Sequence, residues 1–119
     1  MRLILPVPPS WNASYRAGKG RFYTPESVLT FRKQVLVAGR NAGIRKYPRD
    51  VFVCVTLYWF RKRQAGDIDK RASVCLDALQ GVWFCDDAQV SELHVFRSED
   101  RVNPRLEVEV TPIAAVKAA

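Results

Sequence analysis

The stretch Val51-Phe52-Val53-Cys54-Val55-Thr56-Leu57-Tyr58-Trp59-Phe60 is apolar at both parities and almost wholly β-branched or aromatic. Such a run predicts a central strand covered on both sides. It ends abruptly in Arg61-Lys62-Arg63. Working outward, Met1-Arg2-Leu3-Ile4-Leu5-Pro6 reads as a first strand, too short for a signal peptide. Residues 6–20, rich in proline, glycine and small polar side chains, read as one long loop. Arg21-Phe22-Tyr23 reads as a short strand. Thr24-Pro25 then supplies an N-cap and a proline at the first helical position. Val28, Phe31, Val35 and Ala38 supply the apolar stripe, and Gly43 the stop.

Beyond the central strand, a second helix is expected to begin near Asp67–Asp69, with Ala72, Cys75, Leu76 and Leu79 inward and Gly81 near its end. Residues 89–97 form a strand with Leu93 and Val95 on one face. Residues 105–111 alternate, with Leu106, Val108 and Val110 inward and Arg105, Glu107, Glu109 and Thr111 outward. The order predicts a single small α+β domain, a mixed β-sheet with two main helices, over residues 1–112. Residues 113–119 are a tail, either frayed helix or disorder.

Composition narrows the function classes. The 119 residues fit one domain, and no apolar run approaches the ~20 residues that span a bilayer. A cytoplasmic protein is expected. Cys54, Cys75 and Cys85 match neither a disulfide framework nor a zinc site and read as thiols in a reducing compartment. His94 is the sole histidine, which argues against His-based zinc sites and Ser-His-Asp chemistry.

Nineteen Lys and Arg against twelve Asp and Glu give a net charge of +7, which points to a polyanionic partner. Positions 1–49 hold ten basic residues and one acid, whereas Asp67, Asp69, Asp77, Asp86 and Asp87 lie within 21 residues. A basic surface around an acidic spot suits a metal-using phosphodiesterase. The bases hold phosphates and the acids hold a cation. Arg16, Lys19 and Arg21, beside Trp11 and Tyr15, either grip backbone phosphates and stack on bases or form a surface loop whose aromatics tuck into the core.

In an extended lead-in, Asp67 and Asp69 project to one side. Once the helix starts, Asp69, Ser73 and Asp77 recur every four residues along a face roughly opposite the inward stripe. Clustered carboxylates raise one another's pKa values unless a cation is bound, and oxygen-only ligation favours Mg²⁺ or Mn²⁺ over zinc. The nearby helix N-terminus and Arg61-Lys62-Arg63 suit phosphate. A plainer reading stands beside this one. Asp67 and Asp69 cap the helix, Asp77 pairs with Lys70 or Arg71, and Asp86-Asp87 is a polar turn.

Asp67-Ile68-Asp69, Leu76-Asp77-Ala78-Leu79 and Trp83-Phe84-Cys85-Asp86-Asp87-Ala88-Gln89-Val90 resemble the RusA family of Holliday junction resolvases, found in bacteria and often in bacteriophages and prophages. Leu5-Pro6-Val7-Pro8-Pro9-Ser10 and Asn12 add to the likeness. The resemblance implies a homodimeric, Mg²⁺-dependent endonuclease (Mn²⁺ substituting) that makes paired nicks in four-way DNA junctions, with no nucleotide cofactor. Carried over by position, Asp67, Asp69 and Asp87 are the essential metal-binding carboxylates, with Asp86 and Asp77 supporting them. Arg16, Lys19, Arg21, Arg61, Lys62, Arg63 and Arg71 are the DNA-binding candidates. The family usually has asparagine directly after the second aspartate and a catalytically important lysine three residues on. Here those positions hold Lys70 and Ser73, so Lys70, Arg71 or the Arg61–Arg63 run must supply the charge. Two other readings remain: a junction- or branched-DNA-binding protein without nuclease activity, and a cation-binding or protein-interaction domain with structural acids.

Overall fold

In a computed structural model of the chain, the residues described are 1–9, 16–18, 21–62 and 68–114. Their elements run β1 (Leu3–Leu5), β2 (Arg16–Gly18), β3 (Arg21–Tyr23), α1 (Glu26–Asn41), β4 (Phe52–Arg61), α2 (Ile68–Leu79), a 3-10 turn (Asp87–Gln89), β5 (Val90–Glu99) and β6 (Arg105–Ile113). This is the expected α+β domain. The main sheet is mixed, in the order β1-β6-β4-β5. β4 pairs antiparallel with β6 and parallel with β5, and α2 lies in the connection that a parallel pair requires. β2 and β3 form a separate antiparallel hairpin. The stretch read as one loop over 6–20 thus contains a short strand, matched to the expected strand at Arg21–Tyr23.

The helices account for one face of the sheet. Val28, Phe31 and Val35 of α1 share a core with Ala72, Val74, Cys75, Ala78 and Leu79 of α2. From the sheet come Val53, Val55, Leu57 and Trp59 of β4 and Leu106, Val108 and Val110 of β6, which keep the period-two alternation expected for β6. Full burial of a side chain such as Phe31 contributes about 2–3 kcal/mol. Val74 and Ala78 are buried where the expected stripe had Leu76, which is only half-buried. α1 starts one residue later than its predicted cap. Pro25 stands at the N-cap, with no side-chain cap bond, and Thr24 lies outside the helix. The stop follows expectation: Gly43 has φ +70°, and the Ile44 and Gly43 amides donate to Gly39 and Arg40 in a Schellman arrangement.

The expectation that β4 is covered on both sides needs correction. Helices cover only the face of its odd-numbered residues, and Cys54, Thr56, Tyr58 and Phe60 on the other face are half-buried. There the aromatic rings lie under arginine side chains instead of a second layer. The Arg2 guanidinium sits 3.9 Å from the Tyr58 ring centre and that of Arg105 4.0 Å from Phe60. Tyr58 stacks on Phe96 at 5.6 Å. Arg2 pairs with Glu107 and Glu109, and Arg105 with Glu107 and Asp100, at 2.7–3.1 Å. The outward charges of β6 thus tie this face together, and β6 continues through Ile113, two residues past its expected end.

Among the described residues, no helix is long and apolar enough to cross a membrane. The cysteines are unpaired, with Cys75 buried and Cys54 and Cys85 half-buried. Burial pushes the Cys75 thiol well up, so it stays protonated and inert.

Candidate acidic site

The best-defined part of the site is the turn before β5. Asp86 is the N-cap of the 3-10 turn, and its side chain accepts from the Ala88 amide at 3.0 Å. Gln89 closes a capping box: its side-chain oxygen accepts from the Asp86 amide at 3.0 Å and the Cys85 amide at 2.7 Å. Its amide nitrogen donates to the carbonyls of Pro48 and Val51 at 2.7 and 2.8 Å. Gln89 is only 4% exposed, and both ends of its amide are satisfied. The buried glutamine therefore pins the aspartate turn to the segment leading into β4. The Asp-x-x-Gln spacing is a capping-box signature, and it was the available sequence signal for this role.

Asp86 and Asp87 lie against each other. The Ala88 amide, then a bond with the Asp87 carboxyl, holds Asp86 below the usual carboxylate range, with Arg49 at 4.0 Å also favouring its charge. Asp87 is pushed up, first by the contact with Asp86, then by partial desolvation and the charges of Asp86 and Asp77. Asp77 is exposed on α2, and its influence on Asp87 shows that the far end of the helix faces the aspartate turn. Arg49 was not among the sequence candidates.

The basic candidates divide differently. Arg61 ends β4 and is only 8% exposed, with its guanidinium 5.3 Å from the Trp59 ring. Arg71, half-buried in α2, lies 5.0 Å from the same ring and donates from Nη1 to the Pro8 carbonyl. Burial lowers its pKa. Among the described residues, Arg61 Nε, Arg71 Nε and Trp59 Nε1 are buried without a hydrogen-bond partner. Arg71 also lines an open groove of about 620 Å³ with Val7, Pro8, Pro9, Glu26, Ser27 and Thr30. Trp59, expected only as a core residue, thus gathers two of the predicted DNA-binding arginines.

Lys62 is exposed just past β4. Arg16 and Arg21 fall on the β2–β3 hairpin, and Asp69 and Lys70 in the first turn of α2, all placed by backbone. Asp67, Arg63 and Lys19 lie outside the described residues. The structure therefore brings Asp77, Asp86 and Asp87 to one end of α2, with Asp69 at the other. Among the described residues, no group of three acidic, cysteine or histidine side chains is placed to hold a metal ion. The donors themselves, all carboxylates, are of the chemistry that a hard divalent cation takes.

A comparison with protein families matches the family described as Endodeoxyribonuclease RusA to residues 6–111 of the 119. The chain belongs to the RusA family. That membership makes it an enzyme acting on the phosphodiester bonds of DNA, in a family of Holliday junction resolving endonucleases whose members generally depend on a divalent metal. No curated protein matches the chain. The family match takes in both helices, the aspartate turn, β2 to β5 and all but the last two residues of β6, so the RusA domain and the α+β fold are nearly coextensive.

Proposed function

We propose that this RusA-family protein resolves four-way DNA junctions as a Mg²⁺-dependent homodimer in the cytoplasm, nicking two opposed strands. The observation that carries the reading is the family match over residues 6–111, which contains the Asp67-Ile68-Asp69 segment, with Asp69 in the first turn of α2, and the Asp86-Asp87-Ala88-Gln89 segment that follows the helix in sequence. Asp67, Asp69 and Asp87 are assigned as metal ligands, with Asp86 and Asp77 supporting them. When bound, the ion would offset charge on the scissile phosphate and acidify a water. Arg61 and Arg71, with Lys62, Arg63 and the hairpin residues Arg16, Lys19 and Arg21, are assigned to backbone phosphates. A buried and a half-buried guanidinium, whose Nε donors have no partner among the described residues, favour an anionic partner for that region. A twofold dimer suits a junction of near-twofold symmetry, because paired cuts then follow from geometry.

A second reading, a junction binder with little or no nuclease activity, is favoured by Ser73. This exposed position on α2 is where the family carries its lysine, and serine brings no charge. Lys70, one turn earlier, is the proposed substitute. The test uses an end-labelled four-way junction and a duplex of matching sequence, with Mg²⁺, with EDTA, and with the Asp69→Asn variant. Paired nicks confined to the junction, to Mg²⁺ and to wild type are expected, and Ser73→Lys should hold or raise the rate. Tight junction binding with no nick in Mg²⁺ or Mn²⁺ would establish the binder instead.

A further inference from the structure

We propose that the connection between α1 and β4 is a second DNA-binding surface, in which Arg40, Arg45, Lys46 and Arg49 hold the backbone of the DNA arm lying beside the aspartate turn. The proposal rests on the junction-resolving reading, and it adds a contact surface apart from Arg61 and Arg71.

Positive charge is concentrated in this part of the chain. Between Glu26 and Asp50 the sequence holds Arg32, Lys33, Arg40, Arg45, Lys46 and Arg49 and no acid, six of the ten basic residues in positions 1–49. Arg40 lies in the last turn of α1, and Arg45, Lys46 and Arg49 follow in the connection. All four side chains are exposed. Among the described residues, Arg40, Arg45 and Lys46 have no carboxylate within ion-pair distance. Arg2, Arg101 and Arg105, in contrast, each sit 2.7–3.2 Å from one. Charge left uncompensated on one surface is what a polyanion neutralises.

The backbone that carries these cations is already fixed. Ile44 and Tyr47 pack against the core. The Tyr47 amide donates to the Trp83 carbonyl at 2.9 Å, and the Val51 amide to that of Pro48 at 3.0 Å. The Cys85 thiol donates to the Tyr47 carbonyl at 3.5 Å. Inward anchors thus alternate with outward cations along the connection. On binding, only the ends of the side chains lose freedom, because the chain beneath them is ordered beforehand.

The anchors also decide where the surface lies. Gln89, which closes the capping box at Asp86, donates to the carbonyls of Pro48 and Val51 on either side of Arg49 and Asp50. The cations and the aspartate turn are therefore held as neighbours by one buried side chain. Arg49 Nη1 lies 4.0 Å from Asp86 Oδ2, with the two side chains 77% and 44% exposed. A pair that long and that exposed contributes little, so turning Arg49 toward a phosphate costs little. A phosphate backbone approaching Asp86 and Asp87 meets repulsion from both carboxylates. Cations beside the turn offset that repulsion where it arises.

This surface is separate from the arginines around Trp59. β4 runs ten residues from Phe52 to Arg61, so its two ends stand about 30 Å apart. The connection joins the first end, and Arg61 and Arg71 lie toward the second. At one phosphate per roughly 3.4 Å of strand, that separation is about nine nucleotides. The two groups of cations must touch different phosphates.

The test measures four-way junction binding in EDTA by fluorescence anisotropy across a salt series. Two double variants each remove two exposed charges: Arg45→Gln/Lys46→Gln in the connection and Arg32→Gln/Lys33→Gln, about two turns back along α1 from Arg40. With Tm unchanged in both, the first should lower the slope of log affinity against log salt by about 2, and the second should leave it near wild type. Equal slopes in the two variants would reduce the effect to net charge and overturn the proposal.

Ethylation interference on the same junction locates the contacts. The phosphates lost in Arg45→Gln/Lys46→Gln should differ from those lost in Arg71→Gln, and loss of the same phosphates would overturn a separate surface. So would a variant that loses binding to anionic phospholipid vesicles while its DNA slope is unchanged, since the surface would then belong to a membrane. Nicking in Mg²⁺, followed in parallel, separates this proposal from the resolvase reading. A lowered slope in a protein that never nicks leaves the surface standing and removes the resolvase, and nicking with an unchanged slope does the reverse.

Discussion

Asp86 and Asp87 are adjacent carboxyls that folding drives in opposite directions. The lowered pKa of Asp86 stabilises the fold above the usual carboxylate range and is lost as pH falls through it. The raised pKa of Asp87 acts with the opposite sign: it favours the fold only at low pH and opposes it once the pH exceeds the raised value. Once its proton is lost, Asp87 is the destabilising member, facing Asp86 and Asp77. Asp87→Asn should therefore raise Tm at pH 7 in metal-free buffer, and the gain should disappear on acidification below the carboxylate range. A gain independent of pH in a melting series would show that charge is not its cause. The Asp-Asp-Ala-Gln turn was legible as a unit in the sequence. The role of Gln89 as its buried anchor was not stated there, because the partner carbonyls of Pro48 and Val51 are about 40 residues away in the chain.

At the scale of elements, periodicity located both helices and the main strands, and its errors are informative. Thr24 looked like a cap, but Pro25 holds an extended conformation, ψ 153°, and the helix begins after it. β4 looked buried on two sides because aromatic and β-branched residues occupy both parities. On its outer face the side chains of Arg2, just before β1, and Arg105 of β6 lie over those rings, a role for charged residues that hydropathy does not register. Gly39 shows how closely the helical layer packs. A Cβ there would stand 2.6 Å from Val82 Cγ1, in the turn after α2. Gly39→Ala gains up to about 1 kcal/mol of helix propensity but overpacks this contact, which costs about 1–3 kcal/mol. Urea denaturation should show a net loss of roughly 1–2 kcal/mol, largely relieved by Val82→Ala. A stabilised Gly39→Ala would mean that the turn yields freely.

For the whole molecule, a charge of +7 with five of the twelve acids gathered within 21 residues predicts junction binding that is steeply salt-dependent. If about six phosphates are engaged, affinity in EDTA should fall about 10³-fold between 50 and 200 mM salt. Arg71→Gln should reduce the slope of log affinity against log salt by about 1, measured by fluorescence anisotropy. An unchanged slope would return Arg71 to a purely structural role against Trp59 and Pro8.

The sequence by itself determined the α+β class, both main helices, the alternation of β6 and the acid series that carries the family likeness, because each is written in local spacing. What only the tertiary structure decided was placement. It set β4 between an antiparallel and a parallel neighbour, put both helices on one face, and closed the other with ion pairs. It also gathered Arg61 and Arg71 around Trp59. Most consequentially, it set Asp69 and Asp87 at opposite ends of α2. Spacing along a chain records how many residues separate two carboxylates, whereas the distance between them depends on the direction of the helix and strands that join them.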